Sequence, residues 1–107
     1  VQVGLVLVDA AHVANLDKSF SEALGYISRA IGIFEEEEEP QFLANAQYTK
    51  GRLLFTWAME GNPQFLKPAM QAYQEAVKVF RKDTNPDVYA HIQHHLGVIY
   101  SIIPDEA

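Results

Sequence analysis

The sequence predicts an all-α fold built from stacked, antiparallel helix pairs, on the evidence of an internal repeat and of apolar residues at helical spacing. Aligning Ser21–Phe55 with Lys67–Ser101 without a gap, at an offset of 46 residues, brings seven identical pairs into register. Roughly two would be expected from average composition. A unit of this length cannot bury its apolar face alone, so the units must stack as in an α-solenoid, which favours a binding surface over a catalytic pocket. The identical pairs are Ala23/Ala69, Ala30/Ala76, Phe34/Phe80, Pro40/Pro86, Ala44/Ala90, Gln47/Gln93 and Gly51/Gly97.

The first segment, Val1–Val13, is predicted to be the second part of a helix. Its valine-rich start also has strand propensity, so propensity alone leaves both structures open. The repeat favours the helix, because Gly4 precedes Ala23 by 19 residues and Gly51 precedes Ala69 by 18.

Two long helices are expected next. The first is predicted over Ser19–Glu38, with Asp17 or Ser19 as its N-cap. The second is predicted over Gln41–Met59, because Pro40 suits the start of a helix. The inner face of the first of these helices is expected to carry Leu24, Ile27, Ala30, Ile31 and Phe34.

The last two helices have the clearest signals. One is predicted over Lys67–Asp83, after an irregular segment over Gly61–Leu66. The other begins at Pro86, with Asn85 as its cap, and runs to about Ile103. The apolar face of the first is formed by Ala69, Tyr73, Ala76, Val77 and Phe80.

Composition excludes several classes of function. The 107 residues are enough for a single domain, residues 1–107, which we expect to be a module of a longer protein. Eight basic against fourteen acidic residues give a net charge of −6, so nucleic acid is not an expected partner. The chain contains no cysteine and no apolar run of membrane-spanning length, so disulfides and a membrane span are not expected, and we expect a cytoplasmic protein.

The last two helices also carry a motif of a known repeat family. Leu96-Gly97 is followed three residues after the glycine by Tyr100. The preceding helix carries a small–aromatic–small set and a later proline, namely Ala69, Tyr73, Ala76 and Pro86. In this pattern the whole chain resembles the tetratricopeptide repeat superfamily, in about two and a half repeats that form a right-handed solenoid of about five helices. The period of 46 exceeds the family's usual length of about 34, and Gln47 and Gln93 stand where the family has its signature Trp, so the resemblance is to divergent members with longer helices.

The resemblance implies a function in protein–protein interaction. In this family the first helix of each pair lines a concave groove that accepts a peptide or protein partner. Tyr48, Arg52 and Phe55 form a mixed aromatic and cationic stripe of the kind enriched at binding hot spots. The Lys/Asn set by which chaperone-binding members hold a terminal carboxylate is missing, so that partner is not expected. The expected groove residues are Asn45, Tyr48, Arg52, Phe55, His91, His94, Val98 and Ser101, with Leu5 and Val8 from the first helix.

Packing and assembly expectations follow from the same pattern. Gly97 should lie where two helices touch, opposite the face formed by Ala69, Tyr73 and Ala76, because a missing side chain permits close approach. The N-terminal segment carries no charge before Asp9, unlike the polar ends that usually protect stacked repeats. An alternative function is therefore self-assembly as a homodimer, through Val1, Leu5 and Val8.

Chemical activity is not expected. His91 and His95 lie four residues apart with His94 beside them, a spacing that can bind zinc, and a metal or small-molecule sensor is a weaker alternative. No third ligand is evident apart from Asp87, four residues before His91, so we expect no metal site and no cofactor. No nucleophile elbow or glycine-rich phosphate loop is present, so the chain is not expected to be an enzyme. The run Glu35–Glu39 is either a solvated helix end or an acidic lip that attracts a basic partner.

Overall fold

The computed structural model describes residues 2–16 and 19–103, and these residues form an all-helical structure without strands. A short 3₁₀ helix, Pro63–Phe65, precedes the fourth α-helix. The first segment is helical, as the spacing of the repeat predicted. The five α-helices are α1 (Gln2–Leu16), α2 (Phe20–Glu36), α3 (Pro40–Met59), α4 (Leu66–Ala76) and α5 (Pro86–Ile102).

Helices that follow one another in sequence pack against one another. α1 packs on α2 and α3 packs on α4, while α2 joins the two pairs through its contact with α3. α5 packs on α4 at the end of the described chain. The core between these layers is apolar and aromatic, and its largest fully buried side chains are Trp57, Tyr73, Phe34, Ile27, Leu54, Ile92 and Ile99.

Prolines set the starts of two of the helices. Pro40 and Pro86 occupy the first turns of α3 and α5, where a missing N–H group leaves no hydrogen bond unmade. Asn85 stands at the N-cap position of α5 as predicted, but its side chain does not cap the helix. It accepts a hydrogen bond from Thr84 Oγ1 at 3.1 Å instead. Pro68 is tolerated in α4 because it lies in the first turn.

The end of α4 differs from the prediction. The regular helix stops at Ala76 and not near Asp83, and the chain continues in turns. The N–H groups of Val79 and Phe80 both bond to the carbonyl of Ala76, at 3.1 and 3.0 Å. Phe80 stays buried, so the predicted apolar face holds although the helical geometry does not. The β-branched Val77 and Val79 favour this early end, because they lose rotamer freedom in a helix.

The acidic run also ends its helix early. α2 stops at Glu36, and Glu38 adopts a left-handed backbone conformation with φ of 53°. Five consecutive carboxylates repel one another at a helix end whose dipole disfavours negative charge. Glu35, Glu36, Glu37 and Glu38 are all exposed, which keeps these charges in solvent.

The expectation for Gly97 is wrong. Gly97 is exposed, and a Cβ atom placed there would meet nothing within 4 Å. The close approach to Tyr73 is made by Gly51 of α3, where a Cβ atom would lie 2.8 Å from the ring. Gly4 makes a comparable approach to Phe34. The physical reason is that α5 buries Ile92, Leu96 and Ile99 against the core and turns Gly97 outward.

Candidate functional site

The candidate site begins with one face of α3. Tyr48, Arg52 and Phe55 follow one another at spacings of four and three residues, so their side chains project from the same side of the helix. The two aromatic rings are half-buried and the arginine is exposed. The guanidinium carbon of Arg52 lies 5.6 Å from the centre of the Tyr48 ring, a cation–π distance. The predicted aromatic and cationic stripe therefore occupies one face of α3, and a contact joins Arg52 to Tyr48 within it.

Two histidines of α5 meet this face through a chain of hydrogen bonds, which we call the Tyr–His chain. The Tyr48 hydroxyl lies 2.7 Å from His91 Nδ1, and the Tyr73 hydroxyl lies 2.6 Å from His95 Nδ1. The two histidines complete the chain, because their Nε2 atoms are 3.2 Å apart. Four side chains from α3, α4 and α5 are thus joined in the order Tyr48, His91, His95 and Tyr73.

The Tyr–His chain requires a bare Nε2 atom on at least one imidazole, and it defines the tautomers of the neutral pair. A hydrogen bond between two Nε2 atoms needs a proton on one of them and a lone pair on the other. If His91 Nε2 donates, its Nδ1 accepts the Tyr48 proton, while His95 Nδ1 donates to the Tyr73 hydroxyl. The opposite direction satisfies every group equally well. In both, each histidine carries a single proton.

Burial keeps the four groups uncharged at neutral pH, and nearby positive charge adds to this effect at the two histidines only. Burial lowers the pKa of His95 to about 4, and positive charge on His91, His94 and Arg52 acts in the same direction. Burial also lowers the pKa of His91, with smaller contributions from Arg52 and His94. Burial raises the pKa of the Tyr48 and Tyr73 hydroxyls above the ordinary value.

Ring packing fixes the orientation of the imidazoles. The Phe55 ring stacks on the His95 ring with centroids 4.0 Å apart and planes 10° from parallel. The His91 ring meets the Tyr48 ring edge-on at 5.6 Å. These contacts and the hydrogen bonds hold α5 against α3 through side chains, so the site is preorganised.

The structure brings together some of the predicted groove residues. Tyr48, Arg52 and His91 form one cluster, in which Tyr48 bonds directly to His91. Phe55 joins the cluster through its stacking on His95. His94 contacts its neighbour on α5, His95, with ring centroids 5.9 Å apart. Asn45, His94 and Ser101 are exposed and Val98 is half-buried, with the Ser101 hydroxyl donating to the Val98 carbonyl at 2.6 Å.

Sequence reasoning missed two members of the site. The sequence pattern predicts Tyr73 only as a helix-packing residue and does not place His95 in the groove. The spacing of His91 and His95 was a signal that the two imidazoles share a face. No signal in the sequence indicated that Tyr73, fully buried, would present its hydroxyl to His95.

The residues predicted for self-association lie in different environments. Val1 lies outside the described residues. Val8 is buried against its own chain with 7% of its surface exposed, so it is unavailable to a second molecule, and Leu5 is 36% exposed. A different set of side chains on α1 is strongly exposed, namely Val3, Val6 and Val13 at 62%, 65% and 60%.

Comparison with known proteins adds no relative. No protein-family model matches the chain, and no curated protein or solved structure is significantly similar to it. Within residues 2–16 and 19–103, no helix is long and apolar enough to cross a membrane. Over the same residues, no three His, Asp or Glu side chains are grouped so that they could hold a metal ion together.

Proposed function

We propose that this chain is a protein–protein interaction module that binds a partner peptide or protein across the surface shared by α3 and α5. The observation that carries the proposal is the cluster of Tyr48, Arg52 and Phe55 with the imidazoles of α5. Aromatic and arginine side chains dominate binding energy at protein interfaces. A site whose rings are already fixed loses little conformational entropy when a partner binds.

The architecture we propose for this function is a tetratricopeptide-like helical solenoid. The 46-residue repeat, the pairing of α1 with α2 and of α3 with α4, and the glycine-to-ring approaches in both pairs support it. In such an arrangement α3 and α5 are the first helices of adjacent pairs. Their facing sides would then form the floor of the concave surface.

The chemistry of the cluster indicates the kind of partner. Arg52 is exposed and carries the single full charge of the cluster, since the histidines and tyrosines are neutral at pH 7. Half-buried Phe55 offers apolar surface on the same face of α3. A partner segment with an acidic side chain for Arg52 and an apolar side chain for the rings fits both features.

Selection from a random peptide library tests this proposal. Peptides are selected on the wild-type protein and then tested on Arg52→Glu, with Arg29→Glu on α2 as the matched control for charge. We expect acidic, apolar-containing peptides that lose binding to Arg52→Glu only, and amide NMR shifts that map to α3 and α5. Failure to enrich peptides, or shifts that map away from both helices, would contradict the proposal.

A second candidate function is self-assembly, which the exposed valines of α1 favour. Val3, Val6 and Val13 project from one side of the helix and form an uncharged apolar stripe. Sedimentation velocity at micromolar and millimolar concentration tests this candidate. Self-assembly would be supported by a dimer that appears at the higher concentration. Val6→Glu should abolish this dimer, whereas Ser28→Glu on the exposed surface of α2 should leave it intact. A strict monomer at both concentrations would rule it out.

A further inference from the structure

We infer that His91 and His95 form a two-nitrogen chelating site for a divalent transition-metal ion of the Zn²⁺ or Cu²⁺ class. The inference does not depend on partner binding. It concerns the middle of the Tyr–His chain, where the Nε2 atoms of the two histidines approach each other.

The distance between these two atoms matches the spacing of two ligands on one ion. Zinc binds imidazole nitrogen at about 2.0–2.1 Å in tetrahedral geometry, which places two nitrogen ligands roughly 3.3 Å apart. The Nε2 atoms of His91 and His95 are 3.2 Å apart. An ion inserted between them needs rotation of the rings but no movement of the helix, because the two residues lie one turn apart on α5.

The outer partners of both imidazoles fit the same role. A histidine that binds a metal through one nitrogen generally donates its other ring N–H to an oxygen, which fixes the tautomer. Here the Nδ1 atoms of His91 and His95 each lie within 2.7 Å of a tyrosine hydroxyl. Metal binding requires that neither Nε2 atom carries a proton. The proton held between the two Nε2 atoms would therefore move to whichever Nδ1 atom lacks one, and that Nδ1 would then donate to its tyrosine hydroxyl. The total number of protons on the two imidazoles does not change.

The surroundings define the class of ion and limit its affinity. Imidazole nitrogen selects Zn²⁺, Cu²⁺ and Ni²⁺ over Mg²⁺ and Ca²⁺. Both histidines are half-buried, so water or a side chain of another molecule can supply the remaining ligands. Arg52, over the Tyr48 ring, places a positive charge beside the site and weakens the binding of any cation.

Titration calorimetry with ZnCl₂ and with CuCl₂ alone tests the inference. We expect one ion per chain, and at least tenfold weaker binding in His91→Asn and in His95→Asn. His94→Asn, the adjacent exposed histidine, is the matched control and should change affinity less than twofold. Arg52→Gln should tighten binding severalfold, and Tyr48→Phe should weaken it about tenfold through the outer contact.

A measurement on the wild-type protein covers the case in which a histidine variant does not fold. Substoichiometric Cu²⁺ should broaden the ring NMR signals of His91 and His95 before those of His12 and His94. The inference would be overturned by equal broadening of the signals of all four histidines or by the absence of saturable metal binding. It would also be overturned if His94→Asn and His91→Asn weakened metal binding equally.

Discussion

Replacing Gly51 with alanine should destabilise the protein, whereas the same change at Gly97 should stabilise it. A Cβ atom at position 51 would lie 2.8 Å from two carbons of the Tyr73 ring and 3.1 Å from a third. That ring is fully buried and its hydroxyl is bonded to His95, so it has little room to move. Overpacking of this kind costs about 1–3 kcal/mol. No atom lies within 4 Å of a Cβ at position 97, so the overpacking term is absent there.

The comparison isolates packing because both glycines lie inside helices. Alanine gains about 1 kcal/mol over glycine in a helix interior, and this gain is common to the two variants. Gly97→Ala should therefore be more stable than wild type by roughly 0.5–1 kcal/mol. Gly51→Ala should be less stable than Gly97→Ala by about 1–3 kcal/mol.

Urea denaturation followed by circular dichroism measures both free energies of unfolding. Equal stabilisation by the two substitutions would refute the reasoning, since it would mean that Tyr73 does not pack against Gly51. A loss of stability in Gly97→Ala would equally refute it, because the outward face of α5 would then be covered.

Three further predictions concern buried polar contacts. In the presence of a chelator, the free energy of unfolding should be greatest above pH 6.5 and fall by on the order of 1 kcal/mol towards pH 4. The reason is that His95 is protonated at a higher pH in the unfolded state than in the folded state, where its pKa is about 4, and solvent screening limits the effect. A urea midpoint that does not change over this pH range would contradict the prediction. Tyr73→Phe should lower the free energy of unfolding by about 1–3 kcal/mol, measured in urea, because it removes the hydroxyl bonded to His95 Nδ1. Asn15→Ala should lower the free energy of unfolding by a similar amount, because Trp57 Nε1 donates to Asn15 Oδ1 at 2.6 Å and the buried indole N–H would lose its acceptor. A thermal melt measures this effect, and an unchanged melting midpoint would exclude that bond.

The sequence was sufficient to predict that the helices exist, but not where each of them ends. The spacing of Gly4 from Ala23 resolved the strand–helix ambiguity of α1, because a repeat carries information that local propensity does not. The end of α4 was missed, because Val77 and Phe80 keep helical periodicity although the chain has already entered turns. Periodicity reports which side of the chain is buried, and turns can bury the same side.

The site was predictable only within single helices. The stripe of Tyr48, Arg52 and Phe55 could be derived from α3 alone, since their spacing fixes their common face. The bond between Tyr73 and His95 depends on how far apart α4 and α5 lie, and no residue pattern states that distance. Gly97 shows the same limit, because the repeat equates it with Gly51 although the two glycines have different neighbours.

Binding affinity at the α3–α5 surface tests the central claim most directly. The measurement is the dissociation constant of a library-selected peptide for wild-type protein, for Arg52→Ala and for Arg29→Ala. We predict at least a fivefold weakening for Arg52→Ala, corresponding to about 1 kcal/mol, and less than a twofold change for Arg29→Ala. Equal affinity for all three proteins would contradict the claim that this surface is the binding site.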